Sequence, residues 1–378
     1  MLLSEEHKLI KSTATRFALE EILIKRDQFS ANKALLHSTM QQLGHLGLLA
    51  LLVPESMGGT QAGFLAYAVA MEAIAYADAS ISTMMSVQNS VVLMPIVQYG
   101  TAAQQNQFLP QLISGDALGA FCLTEPNAGS DAAAIRTQAT YQNGAYVLNG
   151  SKQFITMGDM AHVAIVFATM DASLGKKGIA AFLVPRDTPG YKVGRIENKM
   201  GQSACETVHI IFENCKIPEH NRLGKVGEGL NIALSQLECG RIGIAAQALG
   251  IASRAFDLSV RYAKERKTFG RCLIEHQAIQ FKLAEMQTKL TAARQLIWHA
   301  ATLKDQHLPA ITESAMAKLF ASETAEYVCH EAIQIHGGYG YLEEYEVERL
   351  YRDQRVCALY EGTSEVQKMV IGKEMIAL

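Results

Sequence analysis

Near the end of the chain, Glu361 stands between an apolar run and a glycine. Val356-Cys357-Ala358-Leu359-Tyr360 precedes it, and Gly362-Thr363-Ser364-Glu365 follows. Apolar neighbours that keep water from a carboxylate disfavour its charged form and raise its pKa above the reference of about 4.3. A carboxylate tuned this way serves as a general base near neutral pH. The same segment also fits a helix-terminus loop, with Glu361 solvated and Thr363 or Ser364 capping a final helix. The segment alone leaves both readings standing, so the decision falls to the rest of the chain.

Four other segments carry groups able to hold a ligand. In Phe121-Cys-Leu-Thr-Glu-Pro-Asn-Ala-Gly-Ser-Asp131, Pro126 and Gly129 force a turn, while Thr124, Ser130 and backbone amides supply donors. An ordinary loop entering a β-domain would look similar. Gly150-Ser-Lys-Gln-Phe-Ile-Thr156 follows an expected strand, and alternation places Phe154 and Thr156 on one face, fit for a flat cofactor or a plain β-core. Glu265-Arg-Lys-Thr-Phe-Gly270 sets two cations at a helix end, where they suit a pyrophosphate or the helix dipole. Gln334-Ile-His-Gly-Gly-Tyr-Gly340 is glycine-rich but follows a helix and is not Gly-x-Gly-x-x-Gly, so a nicotinamide-dependent enzyme is disfavoured.

The elements that must position these groups follow from pattern. Residues 1–117 are rich in Ala, Leu and Met, with helix-length segments broken at Pro54-Glu-Ser-Met-Gly-Gly59 and near Gly100. From about Gly119 to Pro218, short β-favouring runs alternate with turn signals such as Asn143-Gly144 and Asp187-Thr-Pro-Gly190, predicting a small antiparallel barrel or sandwich. After Gly229 the pattern is helical again. Ile279, Leu283, Met286, Leu290, Ala293 and Ile297 form a stripe suited to a bundle. The expected fold is α+β: a helical domain over 1–118, a β-domain over 119–222 and a four-helix-bundle-like domain over 223–378.

Bulk properties exclude several classes. The chain has 378 residues, 49% hydrophobic and 19% charged, with a formal net charge of −3, which gives no basic excess for nucleic acid. No Lys or Arg occurs between Lys33 and Arg136, so anions there would meet backbone amides. Seven scattered cysteines without a Cys-x-x-Cys pair fit reduced thiols of a cytoplasmic protein. The eleven histidines show no metal spacing, and no metal is expected. The N-terminus matches neither a signal nor a transit peptide, and Glu72, Asp78 and Asn89 interrupt the apolar region 64–99, so no membrane span is expected.

Taken in order along nearly the whole chain, these segments resemble the acyl-CoA dehydrogenase family. Thr-Glu-Pro-Asn-Ala-Gly-Ser-Asp, Lys-Gln-Phe-Ile-Thr, Glu-Arg-Lys-Thr-Phe-Gly with His276-Gln277, Gln-Ile-His-Gly-Gly-Tyr-Gly and Tyr-Glu-Gly-Thr-Ser-Glu carry the resemblance. Leu237-Glu-Cys-Gly-Arg-Ile-Gly-Ile244 is most similar to the short-chain (butyryl-CoA) branch.

The resemblance implies an FAD-dependent homotetramer that oxidises a short- to medium-chain acyl-CoA to its trans-2-enoyl-CoA. Glu361 would take the α-proton, a hydride would pass to flavin N5, and electrons would leave to an electron-transfer flavoprotein. By the same resemblance Phe121, Leu123, Thr124, Gly129 and Ser130 would line the flavin, with Phe154 and Thr156 against its ring. Arg266, Phe269, Gln277, Gln334, Gly337 and Gly338 would reach FAD across a subunit boundary, and Thr363 and Glu365 would flank it. Ser130, Glu238 and Arg241 match positions associated with CoA, and Gly362 adjoins the substrate. Phe154 replaces the tryptophan of many relatives. Gly240 holds the position where the isovaleryl and long-chain branches carry their base, which leaves that role to Glu361. Relatives that take glutaryl-CoA have an arginine near Ser82; with no cation from 34 to 135, a dicarboxylic chain is not expected here. An acyl-CoA oxidase using oxygen and a non-catalytic acyl-CoA-binding relative are the alternatives.

Overall fold

Apolar residues that recur around a whole helix, not along one stripe, must be buried on every side. The computed structural model, which describes residues 2–377, shows this in the N-terminal third. There α1 (Glu5–Phe17), α2 (Lys33–His45), α3 (Gly63–Ala77), α4 (Ala79–Tyr99) and α5 (Ala102–Ser114) form the first layer. Helix α3 buries nearly all of its residues after Phe64. Asp78 ends it in an extended conformation and caps α4 by accepting from the Ile81 N–H. Helix α4 is long and apolar enough to cross a membrane by composition, and 94% of its apolar window is buried inside the protein.

The middle of the chain folds into one sheet of eight strands: β1 (Gly119–Cys122), β2 (Gln138–Gln142), β3 (Ala145–Thr156), β4 (Val163–Thr169), β5 (Ile179–Pro185), β6 (Tyr191–Ile196), β7 (Thr207–Pro218) and β8 (Arg222–Leu223). Their order is β6-β7-β3-β2-β4-β5-β8, with β1 added beside β4. Strands β4 and β5 are continuous apolar runs because both faces are covered. Val163, Ile165 and Phe167 join the large core shared with the helices, whereas Ala164, Val166 and Ala168 face a second core inside the sheet.

Two details differ from the sequence-based expectation. The sheet is not wholly antiparallel, since β1 and β2 both run parallel to β4. A second difference lies at Phe154, which does not reach its face by simple alternation. Lys152 pairs with Ile210 but Ile155 with Val208, a bulge of one extra residue, and Phe154 there has φ 59. The bulge re-aims the ring, which is 63% exposed.

The C-terminal helices are α6 (Gly229–Glu265), α7 (Gln277–Asp305), α8 (Ile311–His336), α9 (Val347–Gln354) and α10 (Ser364–Ala377). Helix α6 packs chiefly on α8 and α3 and so ties the two helical regions together. On α7, Leu283, Met286, Leu290, Ala293 and Ile297 are buried along the expected stripe. Partly buried ion pairs fasten the layers: Arg294 to Glu72 at 2.7 Å and Arg254 to Glu346 at 2.8 Å.

Candidate active site

The turn between α9 and α10 carries Glu361 in a left-handed conformation, φ 53, followed by Gly362 at φ 91. Thr363 does cap α10, accepting from the Val366 N–H at 3.3 Å, so that part of the loop reading holds. Glu361 is not solvated, however. Its Oε2 is buried and has no hydrogen-bond partner among the described residues. Burial pushes its pKa up to about 7, with Lys318 and then Arg241 pulling the other way.

What makes room for this carboxylate is a missing side chain on α6. A Cβ on Gly240 would stand 2.5 Å from Cδ of Glu361 and 2.7 Å from Oε1, and closer still to Oε2. One helical turn on, a Cβ on Gly243 would stand 2.8 Å from the Tyr67 ring carbon Cζ and 2.9 Å from the Ser86 hydroxyl. Tyr67 bonds Ser86 at 2.9 Å. Beside them Tyr360 donates to Gln247, whose amide in turn donates to Ser82 at 2.8 Å and Thr83 at 2.7 Å. Tyr67, Gln247, Lys318 and Gln367 are additions to the residues singled out by motif. The available signal was a polar residue on an otherwise small or apolar helix face.

A buried ion pair shapes the first loop. Lys152, with no exposed surface, lies 2.7 Å from Glu125 and donates to the Leu123 carbonyl at 3.0 Å. Glu125 also accepts from the Arg136 and Thr137 N–H groups at 2.6 and 3.0 Å. Burial raises its pKa, but Lys152 and these donors outweigh burial, and the carboxyl ends below its usual range. The Gln153 N–H donates to the Thr124 carbonyl at 2.9 Å, which sets this loop beside the Phe154 bulge. Phe121 packs edge-on against Phe167 at 4.9 Å, Ser130 is exposed, and a Cβ on Gly129 would meet open space. Thr156 pairs with Thr207, and Gln202 nearby bonds both Thr83, at 2.6 Å, and Asp353. Through Gln202 the loop before β7 is tied to α4 and to the end of α9, the helix that leads into the Glu361 turn.

Of the residues matched to CoA, Arg241 is buried with Nε unpartnered among the described residues, whereas Glu238 pairs with Lys304 at 3.0 Å. Glu365 is exposed.

The remaining matched residues lie elsewhere. Arg266, Phe269, Gln277, Gln334, Gly337 and Gly338 are all exposed. Several of them border a cavity of about 460 Å³ lined by Tyr262, Arg266, Thr268, His336, Gly337, Gly338 and Tyr339, among others. Arg266 lies over the Tyr339 ring at 5.5 Å, and Phe269 is 97% exposed on a left-handed backbone. At about 1.5 Å per residue, the stretch of α6 from Gly240 to Glu265 is roughly 38 Å long. One protomer therefore does not bring the two groups together.

Models of the acyl-CoA dehydrogenase N-terminal, middle and C-terminal domains match residues 4–116, 120–215 and 227–376. The chain is 46% identical over 374 residues to the mitochondrial short-chain specific acyl-CoA dehydrogenase of Mus musculus, covering 99% of this chain and 91% of that protein. Butyryl-CoA dehydrogenase from Megasphaera elsdenii superposes with a TM-score of 0.95 at 41% identity, over 100% of this chain and 99% of that one. An acyl-CoA dehydrogenase complexed with FAD from Bacillus anthracis superposes with a TM-score of 0.93 at 32% identity, over 99% and 67%.

Proposed function

The chain belongs to the acyl-CoA dehydrogenase family, and on that premise we propose that it converts a short- to medium-chain acyl-CoA to the trans-2-enoyl-CoA, with Glu361 as the base. The observation that carries this reading is the buried, unpartnered Oε2 of Glu361, seated against a glycine that leaves it space. An acceptor oxygen with nothing to accept from is suited to receive a proton from bound substrate. Burial has already raised its pKa toward neutrality, where a base balances availability against strength. The α-proton moves from carbon to this carboxylate. Buried Arg241, with an unpartnered Nε nearby, is the cation available to the substrate's anionic carrier.

The residues present fit FAD. Gly337 and Gly338, whose missing side chains would project into open space, form a cradle beside Arg266 and the cavity next to it. Gly129 offers a similar opening near Thr124 and Ser130. Bound FAD would supply the hydride acceptor. The separation along α6 means that the Arg266 group would serve a cofactor held by a second copy, which accords with a homotetramer. Exposed Phe269 and Phe281 offer apolar surface for such contacts. Seven free thiols, six of them buried, accord with a reducing compartment such as the cytoplasm. Electron-transfer flavoprotein is the acceptor in this proposal.

What fills the space beside α6 supports a short chain. Tyr67 occupies the gap left by Gly243, and the Tyr360–Gln247–Thr83 network puts satisfied polar groups where a long alkyl tail would need apolar walls. The decisive experiment is Glu361→Gln. The purified variant keeps yellow FAD but does not bleach with butyryl-CoA under anaerobic conditions. Bleaching at the wild-type rate overturns the assignment.

A further inference from the structure

Lys318 is the one charged group beside Glu361 to which the reading above gives no task. It sits on α8 among small buried residues, with Ser314, Ala315, Ala321 and Ser322 on the same face, and its side chain has no exposed surface. A buried ammonium is costly unless counter-charges or several hydrogen bonds receive it. Among the described residues no carboxylate lies within salt-bridge range of it, and its bond goes to the Gly362 carbonyl at 2.7 Å. Gln367 of α10, equally buried, donates to the same carbonyl at 2.8 Å and to that of Glu361 at 3.3 Å. The two peptides so held are the left-handed pair, Glu361 and Gly362. A glutamate keeps such a backbone only where its surroundings impose it.

A neutral amide could make the same bond to Gly362 at lower desolvation cost, as Gln367 does. What an ammonium adds is charge, and the carbonyl that receives it belongs to Gly362, the residue next to Glu361. We propose that Lys318 is the positioning residue for proton abstraction: it fastens the left-handed turn through Gly362 and supplies the buried positive charge that keeps the Glu361 carboxylate ionised and ready. The proposal rests on Glu361 being the base. Lys318 itself exchanges no proton in the step; the α-proton goes from carbon to Glu361.

The electrostatics agree with the geometry. Burial raises the Glu361 pKa, and Lys318 is the larger of the two opposing charges, ahead of Arg241. The effect is mutual. Burial pushes Lys318 down to about 8, while Cys357, Glu361 and Glu365 pull it up and Arg241 pushes it further down. The other groups facing Glu361 are Tyr67 on α3 and Cys239 on α6, and burial drives both well above neutrality, so they stay uncharged. Arg241 remains charged in every variant considered and forms a constant background.

The test compares holoenzyme variants by the pH dependence of kcat/KM. Lys318→Gln retains a donor for Gly362 but loses the charge. Its acid limb moves up by roughly one pH unit, the lower end of what a neighbouring opposite charge produces, so activity falls about tenfold below the limb and little above it. Lys318→Arg restores the charge and leaves the limb in place. Gln367→Leu loosens the turn without touching the charge, so the plateau of kcat falls while the limb stays. An unmoved limb in Lys318→Gln, or an equal movement in Lys318→Arg, overturns the proposal. Should Lys318→Gln not fold, Lys318→Met, which removes the charge at similar volume, takes its place: a limb raised by about one unit upholds the proposal, and an unmoved limb overturns it. Failure of the underlying base assignment is distinguishable, because it appears as bleaching by Glu361→Gln.

Discussion

Gly240→Ala offers a test in which stability and activity move in opposite directions. The added methyl would stand 2.5 Å from the Glu361 carboxyl carbon, whereas ordinary van der Waals contact begins at 3.4 Å. The carboxyl group must withdraw by about 0.9 Å, and Oε2 by more. Because the obstruction is the far end of a flexible side chain and not backbone, the fold can yield at little cost. Replacing glycine by alanine inside a helix also contributes about 0.5–1 kcal/mol of stability, since the unfolded chain loses freedom. The net effect on folding is therefore neutral or mildly favourable. The base cannot yield so freely, because a displacement near 1 Å at a reacting centre costs on the order of 100-fold. Thermal unfolding and anaerobic bleaching with butyryl-CoA, measured on the same FAD-loaded preparation, separate the two terms. The expected result is an unchanged or raised Tm with a rate lowered about 100-fold. A rate within a few-fold of wild type would refute the placement of Glu361 against α6. A large fall in Tm would refute the view that only a side-chain tip obstructs the methyl.

Other perturbations probe the surrounding parts. Lys152→Met strands Glu125 in the interior and should destabilise the protein by about 3–5 kcal/mol near neutral pH, read by denaturant unfolding. Glu125 titrates below its usual range, so its contribution is full above the unfolded-state pKa and is lost as pH falls through the folded one; the Lys152→Met deficit should shrink over that acid interval. Arg266→Ala should lower FAD content after dialysis while leaving the Glu361 turn intact, and unchanged occupancy would sever the α6 end from the cofactor. In the free wild-type enzyme kcat/KM should rise with pH through about 7, since Glu361 must be ionised to act, and a flat profile across that range would contradict its raised pKa. Tyr67→Ala should extend activity toward longer acyl chains, and an unaltered chain-length profile would show that Tyr67 does not limit the pocket.

How far sequence could carry these conclusions depends on the range of the interactions involved. The stripe on α7 and the runs that became β4 and β5 were readable because burial imposes a short period on neighbouring positions. Strand β2, Gln138–Gln142, was not, because four of its five residues are not buried and its register comes from pairing with β3. The bulge at Phe154 lies beyond pattern as well: alternation predicts only that Phe154 shares a face with Thr156, and the shifted register against β7 reveals the left-handed residue. At Glu361 the local segment supported a solvated cap loop as readily as a buried base; the structure keeps the cap at Thr363 and buries the Glu361 carboxylate. What separates the two roles is supplied from far away in the chain. Gly240 contributes empty space, Lys318 contributes charge, and Gln367 holds the peptide, each from a different helix. A glycine within a helix usually signals lost stability, and a lone lysine on a small-residue face signals a local mismatch. The two departures are explained together once they are seen to meet at the same turn, Gly240 against the Glu361 carboxyl group and Lys318 on the Gly362 carbonyl. Positions at which local preference is violated without local compensation are therefore the ones whose partners are worth seeking across the fold.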